Sequence, residues 1–295
     1  MKNVSWRNLP TYQKGEHLKM KWCKSIQNLM VFFSVSLVSA LAYAQPQPES
    51  GYNLPRDVSL DGHRIDWLIN ITMVFCIILF VIMCIWMLWA IFLHGKNHKA
   101  DYDTGDSKHH ILIACTISAL IFFVVDGNLF YNSVVDLNEA FWNFEKAEGP
   151  DAVQIEVNGR QWVWNARYKG ADGKFNTADD IVTRNDIRVP INTPIGMQLT
   201  SVDVIHSLFL PNLRVKQDAI PGDVNRAWFQ ATDTGDFEIV CVQHCGAAHY
   251  KMRGILTIMP EAEYKAWHDE ASRRAKLAFD PEDKSAQWGW AWEEL

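Results

Sequence analysis

Residues 237–252 read Phe-Glu-Ile-Val-Cys-Val-Gln-His-Cys-Gly-Ala-Ala-His-Tyr-Lys-Met. Over most of Phe237–Cys241, polar and apolar side chains alternate, which is typical of a half-buried β-strand. From Cys241 to Met252, the sequence places two thiols, imidazole and a thioether within twelve residues, directly after that strand. The stretch therefore predicts a β-domain in which soft metal ligands gather at the end of a strand.

The strand pattern extends through the region from Val153 to Met259. Short runs rich in Val, Ile, Trp and Phe are separated by turn signals such as Asp172-Gly173 and Pro221-Gly222. Many short strands separated by turn residues are typical of a β-sandwich or a barrel. We therefore predict an all-β domain at residues 138–260.

Two apolar runs precede this domain. Trp67–Leu93 is almost entirely apolar and exceeds the length of about 20 residues that a helix needs to cross the hydrocarbon layer. A second run extends from Ile111 to Val125 and resumes beyond Asp126. The sequence predicts transmembrane helices at residues 65–94 and 109–137.

The charges that flank the two runs predict their orientation. The loop at 95–108 carries Lys96, Lys99 and Lys108, whereas acidic residues lie at the far ends of both runs. Because positively charged loops stay in the cytoplasm, we expect this loop to be cytoplasmic. We expect a bacterial inner membrane, so the β-domain would lie on the outer side, in the periplasm.

The N-terminus has the composition of a secretory signal. The basic segment Lys19–Lys24 leads into the apolar segment Val31–Ala42, which is followed by Tyr43 and Ala44. We expect residues 1–44 to be a signal peptide that is removed, and residues 45–64 to form a short periplasmic segment. An uncleaved first transmembrane span is the alternative.

Residues 261–295 form a predicted C-terminal tail. Glu261–Leu277 is compatible with a helix, and Trp288-Gly-Trp-Ala-Trp292 lies near the end of the chain. Tryptophans of this kind either dock on a partner or a membrane interface, or pack back on their own domain. The sequence leaves these alternatives open.

The composition of the chain excludes some classes of function. A net charge of -6 argues against a nucleic-acid-binding protein, which needs a basic face, and favours a basic or cationic partner. Three cysteines lie in apolar runs, where thiols usually behave as small buried hydrophobes: Cys76, Cys84 and Cys115.

The ligand types in the cluster favour copper. Thiolate, imidazole and thioether suit copper, whereas Mg²⁺ and Ca²⁺ prefer carboxylates. A zinc site could use Cys241, Cys245, His249 and a further histidine, but it would not need Met252. A disulfide between the two cysteines is also common in secreted proteins. The chain has no Cys-x-x-Cys-His motif, so we expect no covalent haem of that kind.

The run Cys-x-x-x-Cys-Gly-x-x-His-x-x-Met resembles the CuA loop of cytochrome c oxidase subunit II, in the haem-copper oxidase superfamily. The two-span hairpin also matches that family. Three further segments match it in order, and they are Gly159-Arg-Gln-Trp-Val-Trp164, Asp203-Val-Ile-His-Ser207 and Gln217-Asp-Ala-Ile-Pro-Gly222. The resemblance covers about Asp61 to Pro260.

The resemblance implies a membrane-anchored all-β protein, with a two-helix transmembrane hairpin followed by a cupredoxin-like Greek-key β-sandwich. It also implies a dinuclear copper centre (CuA, two Cu ions). The implied ligands are the bridging thiolates Cys241 and Cys245, the imidazoles His206 and His249, the thioether Met252 and the main-chain carbonyl of Gln243.

Further roles follow from the same resemblance. Trp162 would be the point of electron entry, and Asp203 and Asp218 would help dock a lysine-rich cytochrome c. The implied partners are oxidase subunit I, the other oxidase subunits, cytochrome c and membrane lipid. Electrons would pass to subunit I, where oxygen is reduced to water.

Two departures from the family pattern affect the expectations. Gln243 occupies a position where the family usually has a glutamate that also binds Mg²⁺ or Mn²⁺ at the interface with subunit I, so that hard-ion site is in doubt. Many family members also have a glutamate at the cytoplasmic start of the second span, where this chain has Lys108-His109-His110. Two other functions remain as alternatives to an oxidase subunit. One is the CuA subunit of a haem-copper nitric oxide reductase, and the other is a membrane-tethered copper-delivery protein.

Overall fold

The structure, a computed structural model, describes residues 54–95, 98–99, 102, 104–280 and 282. The predicted signal peptide at 1–44 and the tryptophan-rich segment at 288–292 lie outside these residues, so both predictions stay untested.

Two long helical segments come first. Helix α1 spans Gly62–Leu93. The second segment consists of α2, a π-helical turn, α3 and a second π-helical turn, with bounds Lys108–Ile121, Phe122–Asp126, Gly127–Asp136 and Leu137–Phe141. Both segments are long and apolar enough to cross a membrane, and their large apolar side chains are mostly exposed. A helix that is apolar on all sides and lacks a protein cover is suited to lipid.

The ten strands that follow form two sheets of five strands each. The strands are β1 Val153–Arg160, β2 Val163–Tyr168, β3 Ile181–Arg184, β4 Asp186–Pro190, β5 Pro194–Ser201, β6 His206–Leu210, β7 Val215–Ala219, β8 Asn225–Gln230, β9 Gly235–Cys241 and β10 Arg253–Met259. Short 3₁₀ turns occur at Phe144–Ala147, Pro211–Leu213 and His249–Lys251.

The strand orders are β3-β2-β1-β5-β8 in one sheet and β4-β10-β9-β6-β7 in the other. Alternate side chains of both sheets meet in one apolar core that includes Ile155, Val157, Leu208 and Ile239, each essentially inaccessible to solvent. Burial of one such side chain contributes about 1.5–3 kcal/mol. The predicted fold class, a two-helix hairpin followed by a cupredoxin-like β-sandwich, is confirmed.

Helix α4, Glu261–Ala278, covers one side of the sandwich. It contacts β3 and β4, which are the edge strands of the two sheets. The ring of Trp267 packs edge-on against Tyr168 at a centroid distance of 5.4 Å, and Tyr264 is buried. Because an uncovered edge strand is a site for unwanted strand pairing, α4 protects both sheets.

The chain that leads into α1 is part of the sandwich. Val58 is fully buried, and its backbone N–H donates to the carbonyl of Asn212 at 2.9 Å. Ser59 forms an isolated β-bridge with Ala231. The first helix therefore starts directly from the surface of the β-domain, without a free linker.

Two arginines form hydrogen bonds that hold the helices at the end next to the β-domain. Arg64 of α1 donates hydrogen bonds to Asp136 and Glu139 in the second helical segment, both at 3.0 Å. Arg214, in the loop after β6, donates to the two carboxylate oxygens of Asp66 at 2.6 and 2.8 Å. The side chain of Arg214 is only 6% exposed. These bonds join α1 both to its neighbouring helix and to the sandwich.

A buried ion pair lies on the outer face of the first sheet. Arg167 of β2 bonds to Glu156 of β1, and the two side chains are 2% and 3% exposed. Arg167 also donates to Asn176 at 2.9 Å and lies 3.8 Å from Asp180. Burial raises the pKa of Glu156 to about 7, although the charge of Arg167 acts in the opposite direction.

Candidate metal centre

The predicted ligands converge at one end of the second sheet. His206 is the first residue of β6, Cys241 is the last residue of β9, and Met252 directly precedes β10. These three strands are neighbours, with Leu208 of β6 opposite Cys241 of β9. The backbone N–H of Cys241 donates to the carbonyl of Met252 at 3.2 Å, which closes the intervening loop. Sheet pairing therefore brings ligands from distant parts of the chain together.

The donor atoms lie close to one another. The ligand atoms of His206, Cys241 and Cys245 are all within 4.8 Å of each other. The individual distances are 3.8 Å between the two Sγ atoms, 4.0 Å from Cys241 Sγ to His206 Nδ1, 3.4 Å from Cys245 Sγ to His249 Nδ1, 3.8 Å from Cys245 Sγ to Met252 Sδ and 3.3 Å from Cys241 Sγ to the Gln243 carbonyl oxygen. At 3.8 Å, the two sulfurs are not joined in a disulfide.

Most of the cluster is shielded from water. His206 and Met252 are 0% and 1% exposed, and Cys241 and Cys245 are also buried. His249 is half-buried, and the side chain of Gln243 is exposed. Of the five predicted side-chain ligands, His249 is thus the most exposed.

The orientation of His206 is fixed by its neighbours. Its Nε2 bonds to Asp203 Oδ1 at 2.8 Å, which directs Nδ1 toward Cys241. A Cβ atom at Gly159 would lie only 2.9 Å from the imidazole, so glycine at that position makes room for the ring. Burial lowers the pKa of His206, but its hydrogen bonds with Cys241 and Asp203 outweigh this and raise it. A carboxylate that orients a histidine in this way is typical of metal sites.

The two thiols differ in acidity. Burial acts to raise the pKa of Cys241, but hydrogen bonds with His206 and with the backbone of Ser207 lower it to about 6. Burial and then the negative charge of Cys241 raise the pKa of Cys245. A cation held between the sulfurs would offset the repulsion between two thiolates, so metal binding and loss of the second proton are coupled.

Trp162 lies against the ligand loop and is half-buried. A Cβ atom at Gly246 would be 3.3 Å from the Trp162 ring, and Gly246 itself has a φ of 120°, which strongly favours glycine. Gln161 donates from Nε2 to the carbonyl of Cys245 at 2.8 Å. The indole thus packs beside the backbone of Gly246, the residue that follows Cys245.

The two predicted docking carboxylates have different surroundings. Asp203 accepts hydrogen bonds from the backbone of Gln161 as well as from His206, and its side chain is 27% exposed. Asp218 accepts a hydrogen bond from Ser207 at 2.6 Å and pairs with Lys216 at 3.2 Å. The Ser207 hydrogen bond is the main cause that lowers the pKa of Asp218. Their docking role stays a prediction.

The sequence interpretation missed two positioning contacts. The spacing of three residues between Asp203 and His206 could have suggested that the carboxylate supports the imidazole. The bond from Gln161 to Cys245 spans 84 residues and leaves no local sequence signal.

The donor set fits a soft metal ion. Two sulfurs and an imidazole nitrogen converge in a buried space, and Met252 adds a buried thioether beside Cys245. No carboxylate oxygen belongs to this group of ligand atoms among the described residues. Such donors suit copper or zinc and suit Mg²⁺ or Ca²⁺ poorly.

Comparisons with known proteins agree with this geometry. Residues 153–259 match the family model described as the periplasmic domain of cytochrome c oxidase subunit II. The alternative cytochrome c oxidase subunit 2 of Bradyrhizobium diazoefficiens is 28% identical over 238 residues, which cover 72% of this chain and 82% of that relative. Cytochrome c oxidase subunit 2 of Cereibacter sphaeroides is 27% identical over 259 residues, which cover 77% of this chain and 82% of that relative.

A solved structure is also similar. It is the crystal structure of the periplasmic domain of subunit II of cytochrome oxidase from Bradyrhizobium japonicum, with 29% sequence identity and a TM-score of 0.38, over 43% of this chain and 97% of that chain. The matched domain contains every predicted ligand, and the matches to the two relatives extend well beyond it. The sandwich domain therefore matches the periplasmic domain of cytochrome c oxidase subunit II, and the two relatives support the same assignment for most of the chain.

Proposed function

We propose that this chain accepts electrons from cytochrome c at a dinuclear copper centre, CuA, and passes them to the haem and copper centres of subunit I, which reduces oxygen to water. The observation that carries the proposal is the convergence of two buried thiols, two imidazoles and a thioether at one end of the sandwich.

Each ligand has a distinct task. Cys241 and Cys245 would bridge two copper ions, His206 and His249 would each bind one of them, and Met252 with the Gln243 carbonyl would complete the coordination. A dinuclear copper centre held by these residues would supply one-electron transfer with little bond rearrangement. Asp203 holds His206 in the required orientation, and the buried surroundings limit solvent reorganisation.

The surroundings of the ligand cluster also support a route by which electrons enter. Trp162, which is half-buried beside the Gly246 backbone, would receive an electron from a docked cytochrome. Asp203 and Asp218 would attract a basic donor, so the rate of electron entry should fall as the salt concentration rises.

The membrane-anchored chain would lie in a bacterial inner membrane, with the sandwich in the periplasm and the loop at 95–108 in the cytoplasm. Its partners would be subunit I and the other oxidase subunits. A Mg²⁺ or Mn²⁺ ion at the subunit I interface gains little support, because the exposed Gln243 offers a neutral amide in place of a carboxylate.

Copper loading of the full chain in detergent tests the proposal. We expect an electron paramagnetic resonance (EPR) spectrum in which one electron couples equally to two copper nuclei, because the two thiols lie close enough to bridge both ions. Metal analysis should give two copper ions per chain. A spectrum from a single copper nucleus, or a product that holds only zinc, would contradict the proposal.

Trp162→Leu should slow reduction of the copper centre by cytochrome c by about tenfold or more, the loss expected when a central tryptophan of an interface is removed. The EPR spectrum should stay unchanged, because Trp162 supplies no ligand atom. Stopped-flow reduction kinetics would measure the effect. Trp142→Leu is the matched control, since Trp142 is an exposed indole just beyond the second helical segment. If the unaltered chain, Trp162→Leu and Trp142→Leu are all reduced at the same rate, electron entry at Trp162 is ruled out.

A further inference from the structure

A cleft of about 620 Å³ lies between helix α4 and the β-sandwich. One wall is the first half of α4, and the other is formed by the chain that enters β1 and the chain that leaves β2. His268 of α4 donates a hydrogen bond from Nε2 to the carbonyl of Lys169 at 2.9 Å, which joins the two walls. The volume is within the range of ligand sites, roughly 300–1,000 Å³. We call this space the α4 cleft.

The α4 cleft lies at the membrane end of the sandwich. The backbone N–H of Leu60, two residues before α1, donates to the carbonyl of Gln230 at the end of β8. Gln230 lies opposite Pro194 of β5, and the next residue of β5, Ile195, lies opposite Val153 at the start of β1. Val153 lines the cleft. Because neighbouring strands are about 4.8 Å apart, the start of β1 lies about 10 Å to the side of the end of β8, level with the start of α1.

The length of α1 places this level in the headgroup layer. The helix has 32 residues, which correspond to about 48 Å. A bilayer with its headgroups is about 40–45 Å thick, so the start of α1 extends through the outer headgroups. The α4 cleft therefore borders the lipid headgroups on the same side of the membrane as the sandwich.

Charged side chains of both signs line the cleft without pairing with one another. Two ammonium groups and three carboxylates are present, and they belong to Lys169, Lys265, Asp151, Glu261 and Asp269. The ammonium of Lys169 lies 5.3 Å from the centre of the Phe175 ring. In the part of the chain that the structure describes, none of the five charged groups forms an ion pair or a hydrogen bond. Both signs of charge are therefore available to a bound molecule.

Tyr264 adds a buried hydroxyl that has no hydrogen-bond partner among the described residues. The residue lines the cleft and is 9% exposed. Its ring is held against Trp267 and His268 at centroid distances of 5.6 and 5.8 Å. Burial raises the pKa of Tyr264, so the hydroxyl stays protonated and can donate. A buried tyrosine usually has a partner for its O–H, and an occupant of the cleft would supply one.

We propose that the α4 cleft binds the zwitterionic headgroup of a membrane phospholipid. The phosphate lies near the two lysines and accepts a hydrogen bond from the Tyr264 hydroxyl, and the ammonium lies near the three carboxylates. Because the carboxylates outnumber the lysines, a headgroup that is only anionic would meet repulsion. The cleft therefore selects phosphatidylethanolamine over phosphatidylglycerol. The acyl chains stay in the bilayer beside the helices.

Native mass spectrometry of the full chain in detergent, titrated with each lipid, tests the proposal. We expect phosphatidylethanolamine to bind about tenfold more tightly than phosphatidylglycerol. Tyr264→Phe keeps the ring but removes the donor, so it should weaken binding of phosphatidylethanolamine by about fivefold. Lys265→Gln should weaken it by about threefold, the effect of a largely exposed ion pair. The test needs no copper, so its outcome does not depend on the proposed electron transfer.

Lys276→Gln is the matched control for Lys265→Gln. Lys276 is an exposed lysine later in the same helix and does not line the cleft, so binding should be unchanged. Equal affinity for the two lipids would overturn the proposal, as would equal binding by the unaltered chain, Lys265→Gln and Tyr264→Phe. Glycerophosphoethanolamine, which has the headgroup but no acyl chains, separates a lipid from a soluble ligand. If it binds as tightly as phosphatidylethanolamine, the lipid is not the occupant and the proposal fails.

Discussion

Cys245→Ser is expected to abolish the dinuclear copper spectrum. Cys245 has three neighbours among the proposed ligands, because its sulfur lies 3.8 Å from Cys241 Sγ, 3.4 Å from His249 Nδ1 and 3.8 Å from Met252 Sδ. A serine hydroxyl is a harder donor and stays protonated near neutral pH, so it cannot replace a bridging thiolate. EPR spectroscopy and metal analysis of the copper-loaded chain should therefore report at most one copper ion.

Cys115→Ser provides the control for this variant. Cys115 is an exposed thiol on the membrane helix α2, outside the ligand cluster, so the spectrum should be that of the unaltered chain. A dinuclear spectrum that survives in Cys245→Ser would rule out the bridging role of this cysteine.

Arg167→Leu is expected to lower the free energy of unfolding by about 3–5 kcal/mol, the usual cost when one partner of a buried ion pair is removed. The change leaves Glu156 almost fully buried without its cation and also removes the hydrogen bond to Asn176. Guanidinium chloride unfolding of the full chain in detergent, followed by tryptophan fluorescence, would measure the loss.

The effect of Arg167→Leu should depend on pH. Burial already raises the pKa of Glu156 to about 7 in the folded protein, so folded Glu156 binds a proton more readily than unfolded Glu156. Its ionisation then costs stability as the pH rises, and without Arg167 this cost increases. The difference in the free energy of unfolding between the variant and the unaltered protein should therefore be smaller below about pH 5 than above about pH 7. The double variant Glu156→Leu with Arg167→Leu should recover much of the lost free energy of unfolding. If the double variant is destabilised as strongly as Arg167→Leu alone, the role of the ion pair is contradicted.

Local patterns in the sequence were sufficient to predict the main architecture. The apolar runs indicated the hairpin. The alternation over Phe237–Cys241 and the short apolar runs between Val153 and Met259 indicated the sandwich. The spacing from Cys241 to Met252 identified the clustered donors, since those residues share one loop. His206 was different, because only the family resemblance connected it with ligands that follow it by 35 residues or more.

Other features have no local signature. The hydrogen bond between Asp66 and Arg214 joins residues that are 148 positions apart. The burial of Glu156 depends on how the loop at 169–180 and its neighbours fold over the first sheet. The sequences of the π-helical turns are equally compatible with a regular α-helix. Contacts of this kind depend on the completed packing, so periodicity and motif spacing could not predict them.

The attachment of the sandwich to α1 has a mechanical consequence. Val58 anchors the entering chain in the core, and Arg214 holds Asp66 one turn into the helix. Thermal tilting of the sandwich about the membrane surface would have to break these bonds, so the height of the ligand cluster above the bilayer is set by the chain itself. A water-soluble donor would then meet a stationary target, and the tunnelling distance to a membrane-embedded acceptor would stay nearly constant from one turnover to the next.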